Sequence, residues 1–347
     1  MVKLNSPDYF HDTSILRAKQ SWQQESKVEQ ELSVEFQLFL EKLKEIVAEL
    51  YAAHGHDGLI HYADLQRRLT PSERNAYERM IQEVINQHAN QLSNSEREEM
   101  ERIQNERDLN VLDARVGLLE VYLLLTFTNT SEMLSESLSH TYNYVYDHTI
   151  YDLHRKRGYV SPFERKNQQV RSETILSDWS GDTYEDALRH RRLTLQRDLK
   201  RTIVKGIRRN ESYQKLLRGL TKAVSGGKGY KGIRNILRGE TARVIAETTA
   251  QGYEQVGVKQ YQFIATLDNR TTMICKNMDG RIFNLKDIEV GVNCNPMHFG
   301  CRSTISAYFP EDDLSEWQRT ARNPNTGRNY KVEGNITFHE WNERYNK

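Results

Sequence analysis

The stretch "ETARVIAETTAQGYEQVGVKQYQFIATL", residues 240–267, decides the fold class because its residue pattern changes along its length. Residues 240–260 have the composition and apolar spacing of a helix. The side chains of residues 261–267 follow the two-residue alternation of a strand, and this stretch is rich in β-forming residues, which predicts a strand. A helix that leads directly into a strand indicates an α+β module.

The following residues predict the rest of this module. Asp279-Gly280 is a tight-turn signal before "RIFNL", and "STISAYF" at residues 303–309 predicts a last strand. We therefore expect a small α+β module over residues 240–310.

The residues before this module favour helices. The apolar positions from Val28 to Leu50 follow the 3.6-residue period of a long amphipathic helix. Thr70-Pro71-Ser72-Glu73 is a capping box with proline at the first helical position. Six prolines in 347 residues and a mean hydropathy of −0.77 suit long solvated helices. We predict a mainly α protein with a small α+β C-terminal module and an elongated helical N-terminal region.

The chain divides into four predicted segments. Residues 1–160 form the helical region, and residues 161–239 form a basic helical segment with a Gly-rich hinge at 225–232. The module follows at 240–310, and residues 311–347 are expected to be a tail of loop and short helix. The N-terminus lacks the apolar run of a signal peptide, and the most apolar run, 116–127, is too short to span a bilayer. Three cysteines suggest a reducing compartment.

The strongest functional signal is charge. Residues 187–243 hold 17 Lys or Arg against three acidic residues, so this segment carries +14 while the whole chain carries +1. Such an excess repels itself unless a polyanion neutralises it, which predicts sequence-independent contact with nucleic acid. A solvated helix face, or an acidic protein partner, is the alternative. The predicted contact residues are Arg191, Arg192, Lys200, Lys205, Arg208 and Arg209.

The cysteines raise the question of a metal. Cys275, Cys294, His298 and Cys301 would form a Cys₃His set, which suits tetrahedral zinc. No close CxxC pair supports it, so we favour reduced cysteines packed as small hydrophobes, with no cofactor. Zinc stays open, as does a redox or nucleophilic Cys301 activated by His298 and Arg302.

Charged residues also flank the predicted helix–strand junction. Arg243, Glu247, Asp268 and Arg270 could be catalytic, with the carboxylates acting as bases or metal ligands. We favour an internal salt-bridge network that fastens helix 240–257 to the turn at 268–272. Asp268 also suits an Asx turn over Arg270 and Thr271.

Four motifs occur in an order that resembles the phage Mu protein F-like family of minor head proteins. They are "DWSGDTYEDALRHRR", "RVIAETTAQGYEQVG", "IATLDNRTTMICKNMDGRIFNL" and "NPMHFGCRST". The resemblance covers residues 170–310. Carried over by position, the family pattern falls on Arg243, Glu247, Asp268, Arg270, Thr271, Cys275, Gly280, Pro296, His298, Cys301 and Arg302. The chain departs from it at Asn295, Phe299 and Ser303, where the family often has proline, proline and cysteine.

The resemblance implies a virion protein of a tailed phage or prophage, present in few copies inside the capsid near the portal and in the host cytoplasm during assembly. It implies a role in head morphogenesis, DNA packaging or DNA ejection. The implied partners are the portal protein, a scaffold or major capsid protein, and double-stranded DNA, with no membrane. It implies no established enzymatic reaction. The alternatives are a metal-dependent nuclease or transferase using Glu247, Asp268 and His298, and a cytoplasmic nucleic-acid-binding regulator.

Overall fold

The computed structural model describes residues 2, 9–158, 166–179, 181–312, 316–323 and 325–345. The predicted segment boundary after residue 160 lies outside them. The chain forms two compact units, each assembled from separate stretches. Unit 1 consists of Met1–Lys27, Ser135–Tyr184 and Asn235–Lys347, and unit 2 consists of Val28–Leu134 and Glu185–Arg234.

Helices dominate both units, as the sequence predicts. The helices before residue 230 are α1 (Tyr9–His54), α2 (Pro71–Gln87), α3 (Asn94–Gln104), α4 (Val111–Arg157), α5 (Gln168–Ile175), α6 (Tyr184–Arg208) and α7 (Tyr213–Ser225). A two-stranded ribbon, β1 (Gly55–His56) with β2 (Leu59–Ile60), and a 3₁₀ turn at Tyr62–Gln66 connect α1 to α2.

Local sequence signals account for the starts of α2 and α3. Thr70 accepts a hydrogen bond from the backbone N–H of Glu73, whose carboxylate binds the Thr70 N–H in return. Ser93 and Glu96 form the same reciprocal pair at α3. The capping box predicted at Thr70 is confirmed, because it depends only on residues three positions apart.

The predicted Gly-rich hinge is a short, close-packed connection within unit 2. It runs from the end of α7 to α8 (Tyr230–Gln255). A side chain at Gly229 would place its Cβ 1.9 Å from the Val224 carbonyl oxygen, so this position requires glycine. Arg191 donates to the Gly227 carbonyl oxygen (2.5 Å), and Lys228 pairs with Asp198 (2.8 Å), which ties the connection to α6.

The central element of unit 1 is α8, which is buried on every side over residues 239–246. It begins ten residues before the predicted change at residue 240, so the expected boundary between 239 and 240 lies inside one continuous helix. Beside it lies an antiparallel sheet in the order β4 (Ile282–Asn284), β3 (Gln260–Ile264), β5 (Thr304–Tyr308). Gln260 is paired with Asn284 on one side and with Tyr308 on the other.

A short helix, α9 (Met273–Met278), connects β3 to the turn before β4, and a 3₁₀ turn follows at Leu285–Asp287. The turn at Asp279-Gly280 has Gly280 at φ +79°, in the left-handed region that glycine adopts freely. The three predicted strands of the module are therefore all present.

The C-terminal tail differs from the prediction of loop and short helix. It contains a hairpin, β6 (Gln318–Arg322) with β7 (Asn329–Glu333), before the helix α10 (Phe338–Tyr345). Its core includes Leu267, which follows β3, together with Ala321 and Trp341. These residues thus extend the fold of unit 1. Among the described helices, none combines the length and the apolar character needed to cross a bilayer.

Candidate functional site

Five exposed basic side chains lie along α6 and at the residue that follows it in unit 2. They recur four or eight residues apart, so the row winds around the helix by about 40° for every four residues, whereas Leu195, Leu199 and Ile203 are buried. We call this row the basic stripe, and its members are Arg189, Arg197, Arg201, Lys205 and Arg209. The exposed Leu193 fills the remaining position between Arg189 and Arg197.

The basic stripe overlaps only partly with the predicted DNA contacts. Lys205 and Arg209 belong to it, and no ion pair is recorded for either within the described part of the chain. Lys200 is exposed and lies 3.9 Å from Asp113. The guanidinium of Arg208 is exposed, stacks on the Tyr62 ring and donates to its hydroxyl group (2.9 Å). These four residues remain accessible to a polyanion.

The structure contradicts the prediction for Arg192. Its side chain is buried and makes a two-point ion pair with Glu99, with N–O distances of 2.8 and 2.9 Å. This guanidinium is fully occupied within unit 2 and cannot contact DNA. The sequence did not reveal Glu99 as its partner because the two residues are 93 positions apart. Arg191, bound to the Gly227 carbonyl, is only half-buried.

Acidic residues outside the segment offset part of its charge, because Glu99 pairs with Arg192 and Asp113 lies 3.9 Å from Lys200. Two of the three acidic residues within the segment also make ion pairs. Asp198 pairs with both Arg201 (3.7 Å) and Lys228, and Glu211 pairs with Lys215 (3.1 Å). Arg189, Arg197 and Arg201 were missing from the predicted DNA contacts. The helical period of the apolar residues could have indicated that these three side chains are exposed.

Arg243 is the centre of a buried polar cluster in unit 1. Its guanidinium binds Glu240 (2.8 Å) and Glu247 (2.7 Å) on its own helix. It also donates to the carbonyl oxygens of Thr174 and Ile175, which end α5 and have no partner within that helix. Burial raises the pKa of Glu247, and Arg243 opposes this rise. Arg243 therefore fastens α5 to α8.

Asp268 is the centre of a second cluster. Arg302 binds both of its carboxylate oxygens, at 2.6 and 2.8 Å. The N–H of Arg270 and the hydroxyl group of Thr271 donate to Oδ1, which forms the predicted Asx turn. Burial opposes ionisation, but the hydrogen bonds from Arg302 and Thr271 outweigh it and lower the pKa of Asp268. This cluster joins the turn after β3 to the residue before β5.

The predicted single network is thus two networks with different partners. Glu247 lines one cleft of unit 1 together with Trp179, whereas Asp268 and Arg302 line another. The enzyme alternative required Glu247, Asp268 and His298 to meet in one polar pocket. The carboxylates of Glu247 and Asp268 instead line different clefts.

A third polar group escaped the sequence analysis. Arg319 on β6 makes a two-point ion pair with Asp279, and both side chains are almost completely buried. Arg319 also donates to the carbonyl oxygens of Ala265 and Ile336. It therefore connects the C-terminal hairpin to β3 and to the turn before β4.

The cysteines and the histidine meet where α9 approaches the loop before β5. Cys275 Sγ lies 3.6 Å from Cys301 Sγ and 3.5 Å from His298 Nε2. The turn from His298 to Cys301 is closed by a backbone hydrogen bond of 3.1 Å and has Gly300 at φ +76°. The hydrogen bond between the thiols raises the pKa of Cys275 and lowers that of Cys301.

Cys294 does not belong to this group. It is completely buried and its sulfur faces the backbone oxygen of Asn295 (3.6 Å). Burial raises its pKa, as expected for a packed thiol. The predicted four-residue set is therefore corrected to Cys275, His298 and Cys301. Pro296, another position of the family pattern, follows a cis peptide bond and is buried.

Comparison with known proteins finds one family. Residues 194–306 match the model of the family described as Phage Mu protein F like protein. No curated protein and no solved structure matches the chain. The matched third of the chain includes four of the five members of the basic stripe, all except Arg189, together with the Arg243, Asp268 and cysteine clusters. Residues 194–306 are therefore similar to the phage Mu protein F-like proteins, in agreement with the resemblance inferred from the motifs.

Proposed function

We propose that this chain is a head morphogenesis protein of a tailed phage or prophage, which associates with the portal inside the capsid and contacts packaged DNA. The family match supports the head morphogenesis role. The basic stripe carries the proposal for DNA, because its five cations are exposed and can contact phosphates.

The stripe suits DNA without sequence preference. It presents guanidinium and ammonium groups along the exposed part of α6, and these groups neutralise phosphates wherever they lie along a duplex. Leu195, Leu199 and Ile203 pack the helix into the core, so only its exposed part is available to a duplex.

Salt dependence of DNA binding tests this contact. The full chain should bind duplexes of unrelated sequence equally well, with a log–log salt slope of about −4 to −5 for five phosphate contacts. Replacing Arg201, Lys205 and Arg209 with Gln should flatten the slope by about 2.7. Fluorescence anisotropy between low and moderate salt measures both quantities.

A matched control removes the same charge elsewhere in unit 2. Arg79, Arg102 and Arg107 are exposed on or after α2 and α3, so their replacement with Gln also removes three positive charges. This control should leave the slope unchanged. Equal losses in the two triple variants, or a salt-insensitive affinity, would show that the stripe serves something other than DNA.

Portal association needs a separate test, since it rests on the family role alone. In purified phage heads, the chain should co-purify with the portal protein at fewer copies than the major capsid protein. Heads made with the stripe variant should keep the chain but package or eject DNA less efficiently. Loss of the chain from those heads would indicate that the stripe binds a head protein instead.

A further inference from the structure

We propose that Cys275, His298 and Cys301 bind one zinc ion, with the fourth coordination position open to a water molecule. The three ligand atoms all lie within 4.8 Å of one another. The inference rests on this geometry and is independent of the proposed DNA contact.

The separations fit a tetrahedron around zinc. With Zn–S bonds of 2.3 Å and a Zn–N bond near 2.05 Å, two sulfurs of one tetrahedron are about 3.8 Å apart and a sulfur and a nitrogen about 3.6 Å. The observed distances are 3.6 Å from Cys275 Sγ to Cys301 Sγ and 3.5 Å from Cys275 Sγ to His298 Nε2. Small shifts of the side chains suffice to place one ion between them.

The histidine is oriented as a metal ligand requires. Its Nδ1 lies 3.0 Å from the Phe299 carbonyl oxygen, an acceptor, so Nδ1 carries the ring proton and Nε2 holds a lone pair. That lone pair faces Cys275 and also accepts from the Thr272 hydroxyl group (2.9 Å). Zinc would replace this hydrogen bond. A carbonyl that fixes the tautomer from the far side of the ring is the usual support of a zinc-bound histidine.

The fourth coordination position belongs to no protein side chain of this group. Among the described residues, three ligand atoms converge, those of Cys275, His298 and Cys301. A water molecule would complete the coordination, as it does at zinc sites with three protein ligands.

The donor set selects zinc over harder cations and favours a metal over a disulfide. Thiolate and imidazole ligands suit zinc, whereas calcium and magnesium require oxygen donors. A disulfide between Cys275 and Cys301 would not involve His298, whose Nε2 lies 3.5 Å from Cys275 Sγ. Zinc would bind all three side chains, and its charge of +2 would balance two buried thiolates.

Such a site would stabilise the family-matched part of unit 1. Cys275 lies on α9, and Cys301 lies in the loop that leads into β5, so one ion would join two segments that are 26 residues apart. Both cysteines pack against Phe263 of β3 in the core. The expected consequence of zinc is higher stability rather than catalysis.

The test uses the full chain, purified under reducing conditions and titrated with zinc alone. We expect about one zinc per chain by elemental analysis, and a higher melting temperature that a chelator reverses. Cobalt(II) in place of zinc should give the visible spectrum of tetrahedral coordination with thiolate charge-transfer bands. This measurement needs no variant and therefore does not depend on the folding of one.

The variants assign the ligands. Cys275→Ser and Cys301→Ser should abolish stoichiometric binding, whereas Cys294→Ser, a buried cysteine of the same unit, should retain it. His298→Gln should weaken binding at least tenfold because it removes the nitrogen ligand, since even outer-shell partners of a zinc ligand contribute about 10–100-fold.

Three results would overturn the proposal. The first is reduced, folded wild-type protein that binds neither zinc nor cobalt. The second is equal loss of metal in Cys294→Ser and Cys301→Ser. The third is a Cys275–Cys301 disulfide, found by peptide mass spectrometry, that persists in reducing buffer and prevents metal uptake.

Discussion

Buried arginines connect distant segments of this chain, and Arg319 is the clearest case. Its guanidinium meets Asp279 at two points and reaches two backbone carbonyl oxygens, so that each partner offsets part of the cost of burying its charge. The interaction couples the hairpin of the tail to the sheet of unit 1.

Removing this arginine should be costly. Arg319→Leu leaves the Asp279 carboxylate buried without a counter-charge, and we expect a loss of about 3–5 kcal/mol in the free energy of unfolding. Denaturant unfolding of the full chain measures it. Arg344→Leu is the matched control, because Arg344 pairs with Glu333 in an exposed position and should cost at most about 1 kcal/mol. Similar losses in both variants would refute the structural role of the buried pair.

The residue scale also shows where sequence reasoning stops. Asp268, Arg270 and Thr271 are close in sequence, so their Asx turn could be predicted from local chemistry. Arg192 and Arg319 could not, since their partners lie 93 and 40 positions away. The sequence around an arginine does not show whether its side chain will be buried in an ion pair with a carboxylate from a distant part of the chain.

At the scale of elements, the start of α2 makes a prediction about pH. The hydrogen bond from Arg67, together with the backbone N–H of Thr70, lowers the pKa of Glu73 to about 2. An unfolded glutamate titrates near 4.3, so the cap contributes stability above that pH and loses it as the pH falls toward about 2. We expect the NMR titration of the Glu73 carboxyl carbon to have its midpoint near pH 2.

A single variant tests the cause of this shift. Arg67→Gln should raise the Glu73 midpoint toward its ordinary value and flatten the loss of stability at acid pH. Glu340 is the internal control, because the Thr337 backbone rather than Arg67 lowers its pKa. An unchanged Glu73 midpoint in the variant would show that Arg67 has no part in the shift.

The elements differ in how far their sequences define them. Capping boxes and the alternation at residues 261–267 are local signals, and the structure has α2 and β3 where they indicate. The hairpin of the tail is absent from the prediction because β6, "QRTAR", is polar at four of five positions and buries an arginine. The basic stripe could be predicted only from the helical positions of the basic residues on α6. The spacing of the apolar residues indicates those positions, whereas the number of charged residues does not.

At the scale of the molecule, the family-matched range is not a folding unit. It begins inside α6 and ends inside β5, and it takes residues from both compact units. Unit 1 also depends on the first helix. Tyr253 of α8 lies 3.4 Å from Ser14, and Phe10 packs against Phe309, with their ring centroids 5.0 Å apart.

A fragment of residues 194–306 should therefore fail to fold. Without the helices that cover α8 and the sheet, its apolar surfaces stay exposed and cannot offset the loss of chain entropy. We expect weak circular dichroism and a poorly dispersed NMR spectrum, in contrast to the full chain. A cooperative thermal transition in the fragment would show that the matched range is self-sufficient.

The division of unit 1 among three stretches also sets an order of events on the ribosome. Unit 2 is complete in sequence once Arg234 has been added, whereas unit 1 still needs Asn235–Lys347. At 5–20 residues per second, translation of those 113 residues takes roughly 6–23 s. During that interval the Tyr9 and Phe10 side chains have no finished core to enter. Tyr9 and Phe10 are thus synthesised before all of unit 2 but reach their native contacts only after Asn235–Lys347 has been made.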